Sequence, residues 1–388
     1  MEHTAPLVLD IGLVLLLAAG FGWVARRLGL PSVVGYLAAG LAVGPFTPGY
    51  TADRSQIALL ADVGVVLLLF EVGIEVDIGR LRREHGGLLW AAPAQLALTT
   101  AISSLVLVAV GFEPLGAVLV GLAVAMSSSV VIVNITRSRR RTTDRPTEEA
   151  LLGWSVLQDL TGVTVAAIVL AMSGTGGRPA WVAIGALVLF GILALAAAQV
   201  LPVVLRRLRS EHDLFLIVSV AFGLVLAAAG DAEFGVPMAL AAFVAGLVIS
   251  DRAETAEARR RLLPFRDVFA VLFFVAVGTL IDPGELGPVA PLVALLCALV
   301  VVAKVGVAWV LARVARLWAR PLQLAIGLGQ LGEFGYVLAG IGLAAGAISG
   351  GQFTAVLGAI VVTIAGSAVV VRAAGRRVEE PEVAAPAA

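Results

Sequence analysis

Charge is scarce in this sequence: only 14% of its 388 residues are Asp, Glu, Lys or Arg, while 60% are hydrophobic and the mean hydropathy is +1.02. A soluble domain of this length needs a charged surface, and there is too little charge here to build one. The net charge is zero, so nothing points to a nucleic-acid partner. Cysteine is rarer still. Cys297 stands alone inside an apolar run, which excludes an intrachain disulfide and a cysteine-ligated metal site. Three histidines, His3, His85 and His212, fall in the N-terminal segment or in loops without ligand spacing. Neither H-E-x-x-H nor a G-x-S-x-G context occurs, so an enzyme is the weakest reading, and no cofactor is called for. A basic n-region is also missing ahead of the first apolar stretch, which therefore reads as an uncleaved span.

Long apolar runs are what the chain does have. Each is about twenty residues, enough to cross a hydrocarbon core of roughly 30 Å. We place thirteen spans at 7–25, 30–45, 57–74, 88–112, 115–134, 151–171, 180–205, 213–229, 234–250, 267–281, 289–312, 321–343 and 351–371. The arginines provide an independent check. The odd-numbered connections and the tail hold 24 of them, including Arg137, Arg139, Arg140 and Arg141 after the fifth span and Arg259, Arg260 and Arg261 after the ninth. The even-numbered connections hold only Arg54 and Arg178. By the positive-inside rule the odd loops are cytoplasmic, with the N-terminus outside and the C-terminus inside. Residues 1–372 then form one transmembrane domain in a cell inner (plasma) membrane, and 373–388 a disordered tail.

The two halves resemble each other. Pro31-x8-Gly40-Leu41 returns as Pro237-x8-Gly246-Leu247, 206 residues on. The segment V-G-x-x-V-D-x-G-x-L from Val72 to Leu81 returns as V-G-x-x-I-D-x-G-x-L from Val277 to Leu286, at 205, and Gly121-Leu122 returns as Gly327-Leu328. Equivalent spans are seven apart, so the second copy enters the membrane inverted. This predicts a six-plus-one-plus-six inverted repeat: 7–171, a linker span at 180–205, and 213–371.

Polar breaks interrupt the fifth span at Met126-Ser127-Ser128-Ser129 and the twelfth from Gly329 to Gly335. At the 206 offset Ser127 corresponds to Glu333. Paired interruptions in matching places point to a binding site near the membrane midplane, because backbone freed there must be satisfied by protein, water or an ion. Two ionisable residues lie at similar depth, roughly 12–14 Å from the cytoplasmic end of their spans. Asp159 is in the sixth span, and Lys304, the chain's only lysine, is in the eleventh. Intramembrane charges are costly and usually functional. Either the two share a transport cavity or they form a salt bridge that only props the bundle. Glu71 and Glu75, near the end of the third span, read as reaching the interface, Glu75 beside loop arginines. Asp10 and Asp62 receive no role.

The residues also resemble a known family. Leu30 to Leu37 with Gly40 and Gly44-Pro45, Leu69-Phe70-x-x-Gly73-x-Glu75-x-Asp77, Ser127-Ser128, Gln158-Asp159, Phe273-Phe274-x-x-x-Gly278, Lys304 and Gly329-Gln330-x-x-Glu333-Phe334 are similar to the membrane domain of the cation:proton antiporter superfamily, in its Kef-like potassium:proton branch. The resemblance runs over about 7–372. It implies an all-α sodium/proton-antiporter-like fold with two crossed broken helices, and a carboxylate, Asp159, that binds cation and proton in turn. Gln158 ahead of Asp159, where sodium exchangers often carry a second acid, is the pattern associated with potassium and electroneutral exchange. A homodimer is implied, its mobile core rocking against a fixed part. Many Kef-like proteins continue into a cytoplasmic nucleotide-binding domain. Here the tail is too short to fold, so regulation comes from a separate cytoplasmic subunit, lies in a longer chain, or is absent.

The expected site is thus Asp159, with Gln158, Ser127, Ser128 and Glu333 as the candidate cation-binding set and Lys304 as counter-charge. Glu333 is read as orienting the second break or balancing its charge. A site loaded with either a proton or a monovalent cation, K+ or Na+, is neutral enough to move; an empty charged one is not. A cation channel would more naturally ring one pore with carbonyls or acids. An organic-anion symporter would aim helix N-termini and cations at a carboxylate, for which Lys304 alone is thin support. A sensor that has lost transport is separated only by a flux assay.

Overall fold

The computed structural model describes residues 4–47, most of 62–74, 86–128, 132, 144–173, 179–208, 211–236, 238–247, 253–317 and 319–375. Ser129, Glu75, Asp77, His3, His85, the arginines at 137–141 and the 376–388 tail lie outside them. The described residues are helical: α1 (Thr4–Leu28), α2 (Ser32–Val43), α3 (Leu88–Ala109), α4 (Pro114–Ala125), α5 (Arg145–Ser173), α6 (Ala180–Arg207) and α7 (His212–Phe234). They continue as α8 (Met238–Leu247), α9 (Ala253–Thr279), α10 (Pro283–Leu299), a π-helical segment (Val300–Val305), α11 (Gly306–Val314), α12 (Pro321–Gly327), α13 (Glu333–Ala344) and α14 (Gly350–Gly375). Seven described helices are long and apolar enough to cross a membrane, and the unbroken run from Pro283 to Val314 is one of them.

Local chemistry sets several boundaries. Pro114 and Pro283 open α4 and α10, where a missing N–H costs nothing. Asp282 caps α10, its carboxylate accepting from Gly284 N at 2.7 Å. Asp144 Oδ1 accepts from Thr147 N at 3.0 Å, so α5 starts at Arg145, six residues before the expected 151. That correction places Asp159 at the middle of a 29-residue helix, about 21 Å from its first residue and deeper than the sequence estimate. Gly235, with φ of 67°, ends α7 in the left-handed conformation that only glycine adopts freely. The expected tenth span, 267–281, is the end of a helix that begins at Ala253, and the expected twelfth is two helices.

The helices pack in two groups. α1, α2, α6, α7, α8 and α9 pack among themselves, with α2 against both α1 and α9. α3, α4, α5, α10, the π segment, α11, α12, α13 and α14 form the other, joined to the first where α5 meets α6 and α14 meets α2. The outer faces of α1 and α6 expose Leu9, Leu16, Trp23, Trp181, Val188 and Leu195. In water such faces would associate; in lipid they are solvated. The chain is a multi-pass membrane protein.

Two helix crossings, one between α2 and α9 and one between α8 and the 62–74 segment, are too close for any side chain. A methyl group on Gly40 of α2 would overlap the carbonyl of Val275 and lie 2.8 Å from Gly278 Cα, both in α9; one on Gly278 would overlap the carbonyl of Leu37. Likewise a methyl on Gly246 of α8 would overlap the carbonyl of Phe70 and lie 3.0 Å from Gly73 Cα, and one on Gly73 would overlap that of Phe243.

Candidate functional site

The second group is built around the two breaks, which touch. α4 ends at Ala125 and the chain runs on extended through Met126; α12 ends at Gly327 and the helix resumes as α13 at Glu333. Each interruption strands backbone groups that water would satisfy elsewhere. Here each break satisfies the other. Gly332 N donates to Met126 O at 3.2 Å, Ser127 Oγ donates to Leu328 O at 2.9 Å, and Gln330 Nε2 reaches Ser128 O at 3.5 Å. Leu331 N donates to Thr363 Oγ1 of α14 at 3.1 Å. A methyl on Gly332 would lie 2.6 Å from Ser127 O, so the contact is backbone to backbone.

Lys304 enters between them. It is fully buried, and its Nζ donates to Met126 O at 2.7 Å and to Gln330 O at 2.6 Å, one carbonyl from each break. The ammonium thus sits where the C-terminal, negative ends of α4 and α12 meet, and its charge offsets both. The π-helical segment Val300–Val305 contains it, an irregularity that re-aims a side chain and that nothing in Val-Val-Val-Ala-Lys-Val announces. Asp159, only 1% exposed, is near enough for its charge to act on Lys304. The structure therefore buries both expected charges, with Asp159 within electrostatic reach of Lys304, and gives Lys304 two carbonyl partners that the sequence did not suggest. Replacing Lys304 by Ala leaves Met126 O and Gln330 O buried without that donor. The expected result is a loss of about 2–4 kcal/mol of stability, and an exchange optimum moved to higher pH because Asp159 then holds its proton more tightly. Thermal melting and a pH–rate profile check it; an unmoved profile with lowered stability leaves Lys304 a structural prop.

The other expected residues fall around the same point. Gln158 is fully buried, its Nε2 donating to Ala125 O at 3.2 Å and to Gln95 Oε1. Ser127 and Ser128 are buried in the first break, and Glu333 is the first residue of α13. The reading of Glu71 as an interfacial residue is corrected: it is fully buried in the third-span segment, next to Phe70 in the α8 crossing. Sequence reasoning also missed Gln95, Trp154 and Ser155. Ser155 lies one turn from Asp159 on α5, so the two share a face. Ser155 Oγ, Gln158 Oε1 and Gln330 Oε1 are buried and make no hydrogen bond among the described residues. Buried oxygens left over, one of them a turn from a carboxylate, suit a partly dehydrated hard monovalent cation, which takes oxygen ligands.

Two interrupted helices that satisfy each other's backbone, with a buried lysine between the breaks, are the kind of arrangement found in secondary transporters. The family model described as "Sodium/hydrogen exchanger, transmembrane" matches residues 13–374, and the chain belongs to that family, within the cation:proton antiporter superfamily. It is 32% identical over 377 residues to "Putative cation/proton antiporter YbaL" of Escherichia coli (strain K12), covering 93% of this chain and 67% of that one. The fold is similar to the structure of the sodium proton antiporter MjNhaP1 from Methanocaldococcus jannaschii at pH 8, with a TM-score of 0.75 at 17% identity, covering 98% of this chain and 100% of the other.

Proposed function

We propose that this protein exchanges a monovalent cation for protons by alternating access, with Asp159 as the one carboxylate that carries either in turn. The observation that supports this reading is Lys304, buried between the two breaks, with a buried Asp159 within electrostatic reach of it. When neither ligand is bound, Asp159 and the ammonium balance each other, and the charged site stays put. A proton or cation neutralises the carboxylate and frees the second helix group to move against the first. Gln158, Ser127 and Ser128 supply neutral oxygens, and Glu333 steadies the start of α13.

Potassium is the proposed cation, supported by Gln158 standing where sodium-exchanging relatives often carry an acid. Sodium is the second reading, favoured by the likeness to MjNhaP1, a sodium proton antiporter by its title. The thirteen-span count and the inverted six-plus-one-plus-six layout belong to the same proposal. The glycine crossings support the layout: shifting Gly40 and Leu37 forward by 206, and Val275 and Gly278 back by 205, turns the first crossing into the second, contact for contact. The arginine bias supports a cytoplasmic C-terminus. A homodimer, and a separate cytoplasmic regulatory subunit, are extensions of the family resemblance.

Exchange in proteoliposomes carrying a pH dye, scanned through lithium, sodium, potassium and rubidium, tests this. Below the pKa of the site the apparent KM for the cation rises about tenfold per pH unit, with little change in maximal rate at saturating cation, because one proton displaces one ion at one group. A KM independent of pH would rule out the single-site mechanism. Flux that needs no proton exchange would make the protein a channel.

A further inference from the structure

The orientation of the Gln158 amide decides what that residue offers a cation, and the structure shows what sets it. An amide presents an acceptor oxygen on one side and a donor nitrogen on the other, so its facing follows from neighbours that bond only one way. Two such neighbours stand here. The indole N–H of Trp154 can only donate, and it donates to Gln95 Oε1 at 3.2 Å. The carbonyl of Ala125, at the open end of α4, can only accept, and it takes Gln95 Nε2 at 3.4 Å and Gln158 Nε2 at 3.2 Å. Gln95 Nε2 also donates to Thr99 Oγ1 at 3.1 Å. Gln95 is therefore pinned at both ends, oxygen toward Trp154 and nitrogen toward Ala125.

The consequence passes to Gln158. With Gln95 Oε1 fixed as an acceptor, Gln158 Nε2 has two acceptors, Gln95 Oε1 and Ala125 O, one for each of its hydrogens. The Gln158 Oε1 atom is the part left over, buried and without a hydrogen bond among the described residues. Turning the amide over would set Gln158 Oε1 against two acceptor oxygens and leave its N–H groups, which repel a cation, as the buried part without a partner.

We propose that Gln95 is a positioning residue for ion binding: through the chain Trp154–Gln95–Gln158 it keeps the Gln158 oxygen, and not its N–H groups, as the unbonded part of the amide, free to ligate a cation. This rests on the reading of Gln158 as a neutral ligand of the transported ion. Gln95 itself touches neither the ion nor Asp159 in this role. Its effect is on cation affinity and not on the rate of the conformational step.

The test is the apparent KM for potassium, or for whichever cation the wild type prefers, measured in proteoliposomes at a pH high enough that protons do not compete. Gln95→Met is expected to raise KM about tenfold with maximal rate within about twofold. Gln95→Glu keeps an oxygen for both Trp154 and Gln158 and, when protonated, a donor for Ala125 O, so the ratio of its KM to that of the wild type at the same pH falls back toward one as the pH is lowered. Trp154→Phe removes one pin and shifts KM in the same direction by less, which serves if Gln95→Met does not fold. Gln158→Ala separates the two levels of the argument. If Gln158→Ala raises KM and neither Gln95→Met nor Trp154→Phe does, the positioning role is overturned and the ligand reading stands. If Gln158→Ala itself leaves KM unchanged, the ligand reading fails and the inference with it. A Gln95→Met protein that loses melting temperature or maximal rate at constant KM would show a purely structural glutamine, and that too overturns the proposal.

Discussion

Asn in place of Asp159 is expected to abolish exchange in both directions while leaving a protein that folds and inserts. The side chains have nearly the same shape, so α5 packs unchanged around a residue that is 1% exposed in the native protein. Loss of the charge would be ruinous if Lys304 depended on Asp159 alone, since removing one partner of a buried pair costs about 3–5 kcal/mol. The ammonium does not depend on it alone. It keeps hydrogen bonds of 2.7 Å to Met126 O and 2.6 Å to Gln330 O, at the negative ends of α4 and α12. Function has no such reserve. α5 carries Glu148 and Glu149 in its first turns, but the stretch of α5 around Asp159 holds no second acid to take over the proton or the ion. Asn can neither titrate nor neutralise a cation, so the site is always loaded in effect and never exchanges. Parallel measurements of dye-reported exchange and thermal melting check both halves of the statement. Robust exchange by Asp159→Asn would sink the mechanism even though the family assignment stands.

Much of this site was legible because it violates the local rules of a membrane span. A carboxylate, a single lysine and two clusters of Ser, Gly and Gln stand out against Ala, Val and Leu, and the 206-residue offset pairs the clusters without any structure. What the sequence hid are matters of direction and partnership. Gln95 lies in the run Ala92-Pro93-Ala94-Gln95-Leu96 and Trp154 in Leu152-Gly153-Trp154-Ser155, and neither has a periodicity or a motif that joins it to Gln158. Their link is a hydrogen bond between residues 59 positions apart. The π segment was invisible for a similar reason: Lys304 meets both breaks from within it, and nothing in the valines around it marks a change of winding. Span ends were misplaced where polar residues continue a helix beyond the apolar run, as at Arg145 and Ala253. Glu71 was misread because an acid near a predicted span end usually reaches water, whereas the close approach of Gly73 and Gly246 draws that segment into the bundle.

That close approach sets the other large expected effect. Alanine at Gly40 or Gly278 is expected to destabilise the protein by about 3 kcal/mol or more, above the usual range for an overpacked core position. Overpacking is commonly relieved by a side chain that swings away; here the obstruction is the backbone carbonyl of Val275 or Leu37, which belongs to a helix and cannot turn without breaking its own hydrogen bonds. The helices must separate instead, and the separation opens the apolar cluster that Val33, Leu37, Phe273 and Phe274 form around the crossing. Alanine at Gly12 or Gly20 of α1 provides the control. A methyl group there meets nothing within 4 Å, and alanine is the better helix former, so stability is unchanged or slightly raised. The inverted layout adds a sharper demand. Gly246 and Gly73 meet the carbonyls of Phe70 and Phe243 as Gly40 and Gly278 meet those of Val275 and Leu37, so alanine at all four positions should lower the melting temperature by similar amounts. If alanine is harmless at Gly246 and Gly73 but ruinous at Gly40 and Gly278, the two crossings are not images of each other, and the repeat loses its structural support.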